Sequence, residues 1–164
     1  MQPDEALEAL VTDSGDRLLR LAFQLTHDHS AAEDVVQEAL MAIYRSWRRR
    51  LPDVEHLEAY ARRAVVNEFL RRRRLRSSTE VVTPLVPDVA GGSFEPAVVS
   101  REVLWGALGT LPARQRAVLV LRYYEDLPDA AIATMIGARE ATVRSLALRG
   151  LSALRSAEPS LDLR

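Results

Sequence analysis

The stretch that decides the fold lies near the C-terminus, at residues 129–150, and reads DAAIATMIGAREATVRSLALRG. Apolar residues share a helical face on either side of Gly137: Ala130, Ala133 and Ile136 before it, and Val143, Leu146 and Ala147 after it. Two short amphipathic helices joined by a tight glycine turn are typical of a helix-turn-helix, whose second helix enters the DNA major groove. This stretch therefore predicts a helical DNA-binding unit.

The composition suits one or two small domains, with 164 residues of which 48% are hydrophobic and 27% charged. Charged residues interrupt every apolar run, so we expect no membrane insertion and no secretory signal. The chain has no cysteine, which excludes disulfides and thiolate metal sites and fits a cytoplasmic protein. All 22 basic residues are arginine, which binds phosphate and guanine well, although coding bias in a GC-rich genome explains this equally well.

The charge is unevenly distributed along a chain whose net charge of −1 is unusual for a DNA-binding protein. Residues 1–16 hold five acidic side chains and no basic one, whereas residues 62–76 hold seven arginines against Glu68 alone. We expect such a protein to contact DNA locally and to bind it weakly without another subunit.

The helical pattern divides into two regions on either side of a linker rich in proline and glycine. In the first region, Leu18, Leu21, Ala22 and Leu25 have the spacing of a core-facing helix. A turn is predicted at 26–30, a second helix from Ser30 or Ala31 to about Trp47, and a third from roughly Leu57 to Leu75. No strand pattern is present. The predicted fold is all-α, with two small helical domains, 10–76 and 98–157, joined by a flexible acidic linker at 77–97.

The predicted second helix has one apolar and one polar face. Val36, Ala39, Leu40, Ile43 and Trp47 share the apolar face, and Asp34, Gln37, Glu38, Met41 and Arg45 share the opposite face. A solvated helix surface is one interpretation of the polar face. A protein-docking surface is the other, because an exposed methionine among carboxylates suits an adaptable contact.

The predicted third helix combines arginines with aromatic and amide side chains. Arg62 and Arg63 offer phosphate contacts, Trp47 and Tyr60 offer rings on which a base could stack, and Asn67 offers a donor and an acceptor. This set suits single-stranded or opened DNA. Alternatively, both aromatic residues belong to the core, and the 71–74 arginine run is a solvated helix end beside the negative end of the helix dipole.

Nothing in the sequence indicates catalysis or a bound cofactor. His27, His29 and His56 lack the third ligand and the spacing of a metal site. No glycine-rich phosphate loop and no nucleophile–base arrangement is recognisable. We therefore predict a protein that is not an enzyme and that binds no metal and no cofactor.

Three blocks in this order resemble the extracytoplasmic-function (ECF) group of bacterial RNA polymerase sigma factors in the sigma-70 family, particularly compact actinobacterial SigE-type members. The blocks are AEDVVQEA at 32–39, AYARRAVVN at 59–67 and LPARQRAVLVLRYYEDL at 111–127. The resemblance covers residues 16–155 and implies a sigma2-like domain and a sigma4-like domain. It implies a factor that binds core polymerase, recognises the −10 and −35 promoter elements and promotes opening of the DNA.

The resemblance also implies roles for individual residues. Core-polymerase binding falls on Asp34, Gln37, Glu38 and Met41. Contacts with the −10 element fall on Trp47, Tyr60, Arg62, Arg63 and Asn67, with Asn67 lining a pocket for a flipped base, and the loop around 51–56 supplies further walls. Contacts with the −35 element fall on Thr142, Arg144, Ser145, Leu148 and Arg149.

The implied partners are core RNA polymerase, through its largest-subunit clamp coiled coil and β-subunit flap, promoter DNA and an anti-sigma factor. The implied location is the cytoplasm, with nucleoid association in the holoenzyme. The chain departs from the family pattern at Pro128 and Arg139, where capping residues are common, and at Gly150 inside the recognition helix. The alternatives are a helix-turn-helix regulator that binds duplex DNA by itself and a helical interaction protein without a DNA role; the docking face at 34–41 and the surface at 60–67 favour a sigma factor over the regulator.

Overall fold

The structure is a computed structural model and describes residues 2–49, 56–77 and 101–157. The regular elements in these ranges are all helical, which confirms the all-α prediction. The chain divides into two compact units, residues 1–76 and 77–164. The predicted linker lies, from residue 78 onward, outside the described residues. Within the described ranges, no helix has the length and apolarity needed to cross a membrane.

The first unit contains α1 (Pro3–Thr26), α2 (His29–Trp47) and α3 (Leu57–Ser77). Its core is an aliphatic and aromatic cluster drawn from all three helices, which includes Leu18, Leu21, Ala22, Leu25, Val35, Ile43, Val65, Val66 and Phe69. The four α1 residues predicted to face the core are buried, so the 3.6-residue periodicity located this face correctly.

The turn between α1 and α2 is shorter than predicted and involves only two residues. His27 adopts a left-handed conformation with φ 58°, and its N–H donates to the Phe23 carbonyl at 2.9 Å, which ends α1. The Asp28 carboxylate accepts the Ala31 N–H at 2.9 Å and begins α2 at His29. A side-chain cap of this kind stabilises a helix by about 1 kcal/mol. His29 is therefore helical, one or two residues earlier than the predicted start.

The buried face of α2 is rotated slightly from the predicted one. Ala39, Ile43 and Trp47 are buried as expected, but Ala32 and Val35 complete the line, while Val36 and Leu40 are only half-buried. The apolar face of α2 is wider than the part of it that the neighbouring helices cover. Part of it, including Leu40, is consequently left at the surface.

The second unit contains α4 (Arg101–Gly109), α5 (Ala113–Leu119), a π-helical turn (Val120–Tyr124), α6 (Asp129–Ile136) and α7 (Glu140–Ala157). The turn between α6 and α7 confirms the predicted helix-turn-helix. Gly137 has φ 67°, and its N–H donates to the Ala133 carbonyl, closing α6 in a conformation that costs glycine little. Pro128 precedes α6 and supplies no side-chain cap.

The prediction for α7 is confirmed, whereas the prediction for α6 is partly wrong. Val143, Leu146 and Ala147 are all buried. In α6, Ile132 and Ala133 are buried, Ile136 is half-buried and Ala130 is exposed. Burying the Ile132 side chain removes far more apolar surface from water than burying Ala130, and this gain sets the rotation of an eight-residue helix.

Arg116 forms a buried polar contact in the second unit that the sequence pattern did not reveal. Its side chain is only 2% exposed, and it donates from Nε to the Leu108 carbonyl at 3.0 Å and from Nη2 to the carbonyls of Gly109 and Leu111 at 2.7 and 3.1 Å. These acceptors lie at and beyond the end of α4, where carbonyls lack helical partners and the helix dipole is negative. A guanidinium therefore ties α5 to the end of α4.

Candidate protein-docking and nucleic-acid interfaces

The polar face of α2 is available for contact. Asp34, Gln37 and Met41 are exposed, and Glu38 is half-buried. Met41 is 49% exposed, so about half of an apolar side chain lies among carboxylates and an amide. Such a surface suits contact with a protein partner better than exposure to solvent.

A groove between α1 and α2 borders this face. Gln37, Leu40, Met41 and Tyr44 line it from α2, and Leu7, Glu8, Val11 and Thr12 line it from α1. Val11 is 48% exposed and supplies apolar surface on the α1 side. The sequence analysis placed no α1 residue in a site. The signal was present in the apolar residues Leu7 and Val11, which are spaced by four positions and lie off the buried line of Ala6, Leu10 and Leu18.

One face of α3 carries exposed side chains of the type predicted for opened DNA. Tyr60, Arg63 and Asn67 are exposed and lie within about 60° of one another around the helix. Arg62 is half-buried and points away from this set. The Tyr60 hydroxyl lies 3.3 Å from Ser46 Oγ, so the ring is held beside the end of α2 while remaining 41% exposed.

Trp47 does not belong to this exposed face. Its side chain is only 3% exposed and lies in the core of the first unit, as the alternative interpretation in the sequence analysis proposed. The ring therefore has no open face on which a base could stack. The spacing of Trp47 with Ile43 and Ala39 already placed it on the apolar face of α2. Trp47 is therefore removed from the residues predicted to contact a base.

Glu68 draws two arginines of the basic run into an ion-pair cluster. Arg71 donates from Nε and Nη2 to the two Glu68 carboxylate oxygens at 3.0 and 2.7 Å. Arg72 donates from Nε to Glu68 Oε1 at 2.9 Å, and its Nη2 lies 3.4 Å from the Asp34 carbonyl of α2. The first two arginines of the predicted solvated helix end thus have defined partners, which the i+3 and i+4 spacing from Glu68 could have indicated.

The cluster shifts the ionisation of its members. The hydrogen bonds from Arg71 hold the pKa of Glu68 below its usual value, with a further lowering from Arg72 and an opposing effect of partial burial. The Glu68 carboxylate in turn raises the pKa of Arg71, to which the charge of Glu38 on α2 adds. Burial, and then the charge of Arg76, lowers the pKa of Arg73.

The second helix of the helix-turn-helix presents a mixed surface. Arg144, Ser145, Leu148 and Arg149 are exposed, and Thr142 is half-buried. Leu148 is 69% exposed, more than any other large hydrophobic residue described as exposed. An apolar side chain between arginines on an exposed recognition helix suits contact with a thymine methyl group, while the arginines suit phosphates and guanine edges.

Two exposed tyrosines form a second apolar feature of this unit, and the sequence analysis did not select them. Tyr123 and Tyr124, in the π-helical turn, are 60% and 49% exposed. The Arg122 guanidinium lies 5.9 Å from the centre of the Tyr123 ring, and its Nε lies 3.7 Å from an Asp129 carboxylate oxygen. Aromatic side chains presented in this way are enriched at protein interfaces. In the described part of the chain, no three metal-ligating side chains lie together.

Two models of protein families match the chain. One, described as Sigma-70 region 2, matches residues 10–79, and the other, described as Sigma-70 region 4, matches residues 101–154. The first match covers the docking face, the exposed face of α3 and the groove except for Leu7 and Glu8, which precede it. The second covers the helix-turn-helix and the exposed tyrosines.

Relatives with similar sequences span nearly the whole chain. It is 33% identical over 156 residues to the RNA polymerase sigma-E factor of Streptomyces avermitilis, covering 95% of this chain and 87% of the relative. It is 32% identical over 158 residues to the ECF RNA polymerase sigma factor SigL of Mycobacterium tuberculosis, covering 91% and 86%. Among solved structures, the fold is similar to that of the sigma factor RpoE from Bartonella quintana, determined in complex with the anti-sigma factor NepR. The TM-score is 0.67 at 21% identity, covering 95% of this chain and 98% of that one.

Proposed function

The chain belongs to the sigma-70 family of RNA polymerase sigma factors, in the extracytoplasmic-function group, and we propose which of its surfaces bind polymerase and which bind each promoter element. Sigma factors are transcription initiation factors, and they bind core RNA polymerase and promoter DNA. The division proposed for this chain assigns polymerase docking to α2, −10 recognition to α3 and −35 recognition to α7.

Docking to core polymerase uses Asp34, Gln37, Glu38 and Met41, with the clamp coiled coil of the largest subunit as the partner. The observation that carries this proposal is the exposed acidic face beside the groove between α1 and α2. The carboxylates would pair with basic groups on the partner, and Met41 and Val11 would bury apolar surface against it. A fully buried apolar side chain contributes about 1.5–3 kcal/mol, so Met41 supplies affinity and the charges supply orientation.

Recognition of the −10 element uses Tyr60, Arg63 and Asn67, whereas Arg62, which is half-buried and points away from this set, is left out. Arg63 binds phosphate, Tyr60 presents a ring to an unstacked base, and Asn67 offers a donor and an acceptor to its edge. Extruding a base costs a few kcal/mol, which stacking and edge hydrogen bonds offset, so opening is driven by binding. Trp47 supports this surface from the core.

Recognition of the −35 element uses the exposed residues of α7. Arg144 and Arg149 contact phosphates or guanine edges, and Ser145 and Thr142 add hydrogen bonds. Leu148 supplies an apolar contact at the centre of this face. The helix-turn-helix geometry supports insertion of α7 into the major groove.

The remaining partners follow from the exposed apolar surfaces. Tyr123 and Tyr124 suit docking to the β-subunit flap. The groove between α1 and α2 suits an anti-sigma factor that competes with core polymerase, which is supported by the complex of the Bartonella quintana factor with NepR. We propose that the protein acts in the cytoplasm and associates with the nucleoid as part of the holoenzyme.

The docking assignment is tested with the double variant Asp34→Ala/Gln37→Ala. We expect weaker binding to purified core polymerase, by about tenfold or more, with an unchanged unfolding midpoint because both side chains are exposed. Asp13→Ala, which removes an exposed carboxylate from α1, is the matched control and should bind as the unaltered chain does. Equal affinity of the double variant and the control would remove this face from the interface.

A further inference from the structure

Two arginines of the basic run at the end of α3, Arg71 and Arg72, are already bound to a carboxylate of the same helix. Arg71 and Arg72 both donate to Glu68, whose side chain is 12% exposed. An arginine that neutralises a DNA phosphate must give up the contacts that it makes in the free protein. These two would first have to leave a carboxylate that binds them through three hydrogen bonds.

The same contacts connect the cluster to the polymerase-docking surface. Arg72 Nη2 lies 3.4 Å from the main-chain carbonyl of Asp34, a residue of the docking face. Arg71 is close enough to Glu38, another residue of that face, for the Glu38 charge to raise its pKa. The cluster therefore lies where the α3 surface meets the acidic face of α2.

The orientation of Arg71 is fixed by a two-point contact. Its Nε and Nη2 bind the two oxygens of one carboxylate, and these bonds leave out Nη1. The side chain remains 49% exposed, so the guanidinium is held in place at the surface. An oriented guanidinium loses little conformational freedom on binding and suits a carboxylate or carbonyl of a protein partner.

We infer that Glu68 is a positioning residue that assigns Arg71 and Arg72 to the polymerase-docking surface, and that the DNA-contacting part of α3 ends at Asn67. This inference rests on the docking surface proposed above and extends it from α2 onto α3. The partner group for Arg71 is a carboxylate or carbonyl of core polymerase, beside the basic groups that bind Asp34 and Glu38.

Two measurements on the full chain separate a polymerase contact from a DNA contact. The first is the affinity for purified core polymerase. The second is the salt dependence of binding to a duplex oligonucleotide without promoter elements, where each phosphate contact adds about 0.9 to the slope of log K against log salt. Arg71→Ala, Glu68→Gln and Arg63→Ala are compared in both assays, with thermal unfolding to verify the fold.

For Arg71→Ala we expect core affinity to fall about five- to tenfold and the salt slope to stay unchanged. For Glu68→Gln we expect core affinity to fall as well. Its salt slope should become steeper by up to about 0.9 for each released arginine. Arg63→Ala should lower the salt slope and leave core affinity unchanged.

A lower salt slope for Arg71→Ala with unchanged core affinity would overturn the inference, because Arg71 would then be a DNA contact. Core affinity that is unaffected by both Arg71→Ala and Glu68→Gln would also overturn it. If the Asp34→Ala/Gln37→Ala variant still loses core affinity in that case, only the extension onto α3 fails. If that variant binds normally too, the docking surface itself is wrong.

Discussion

Gly150 of α7 packs so closely against Leu119 of α5 that a Cβ atom added to the glycine would lie 2.9 Å from Leu119 Cδ1 and 3.3 Å from Cγ. Both residues are buried. A glycine inside a helix costs about 1 kcal/mol relative to alanine. The structure shows what offsets this cost, because without a side chain at Gly150 α7 can pack closely against α5. This packing holds in place the helix that carries the proposed −35 contacts.

Gly150→Ala is expected to bring the second unit no stabilisation, despite the better helix propensity of alanine. Overpacking a buried site costs about 1–3 kcal/mol, which exceeds the gain of about 1 kcal/mol or cancels it. Gly106→Ala in α4 is the matched control, since a Cβ there meets nothing within 4 Å, and it should stabilise by about 0.5–1 kcal/mol. Urea unfolding of the full chain measures both changes. Equal stabilisation by the two substitutions would show that Leu119 moves aside freely.

Glu68 should make stability depend on pH at the acidic end. Its pKa is lowered in the folded protein, so its contribution is fully present above the ordinary value of 4.5 and is lost as the pH falls through the folded value. Because the ion pairs are screened by solvent, we expect Glu68→Gln to cost no more than about 1 kcal/mol at neutral pH. The difference from the unaltered chain should shrink below the ordinary value of 4.5 in a urea unfolding series. A difference that stays constant down to about pH 3 would contradict the ion-pair account.

Asn67→Ala is expected to impair −10 recognition while leaving polymerase docking intact. The side chain is exposed on the same face of α3 as Tyr60, so its loss removes hydrogen bonds to a base without disturbing the core. We expect the preference between −10 sequences to fall by about 1–3 kcal/mol at the base that it contacts. Promoter opening, followed with a fluorescent base in the −10 element, and core affinity are measured together. Unchanged opening and unchanged base preference would remove Asn67 from the pocket.

Leu148→Ala is expected to abolish recognition of one thymine methyl group in the −35 element. The test combines the substitution with replacement of each −35 thymine by uracil, which deletes only the methyl group. With Leu148 present, one such replacement should weaken holoenzyme binding. In Leu148→Ala it should have no effect, because the apolar partner is already missing. If every uracil promoter is bound equally well by the unaltered chain, Leu148 makes no such contact.

The helical pattern predicted the fold because its strongest signals were local. The spacing of Leu18, Leu21, Ala22 and Leu25 and the turn at Gly137 were correct, since periodicity and φ preference act within a few residues. The rotation of α6 was missed because it depends on what the helix packs against. Alanine at position 130 satisfies an apolar pattern without requiring burial.

The candidate sites were predicted less completely because their geometry depends on contacts between helices. The exposed face of α2 follows from a helical wheel, and Asp34, Gln37 and Met41 are exposed as that pattern requires. The groove forms only where α1 packs beside α2, and the pattern of a single helix cannot predict that packing. The Arg116 side chain contacts carbonyls five to eight residues earlier in the chain, across the break between α4 and α5. Such a contact has no periodic signature.

The central claim is that the chain reads two promoter elements only as a subunit of RNA polymerase. Run-off transcription with purified core polymerase on a randomised promoter library tests it most directly, alongside a gel shift with the free chain. We expect transcripts only when chain and core are combined, from promoters that share a −10 and a −35 element, and no specific shift by the free chain at physiological salt. Specific binding of duplex DNA by the free chain, with no core-dependent transcripts, would contradict the account.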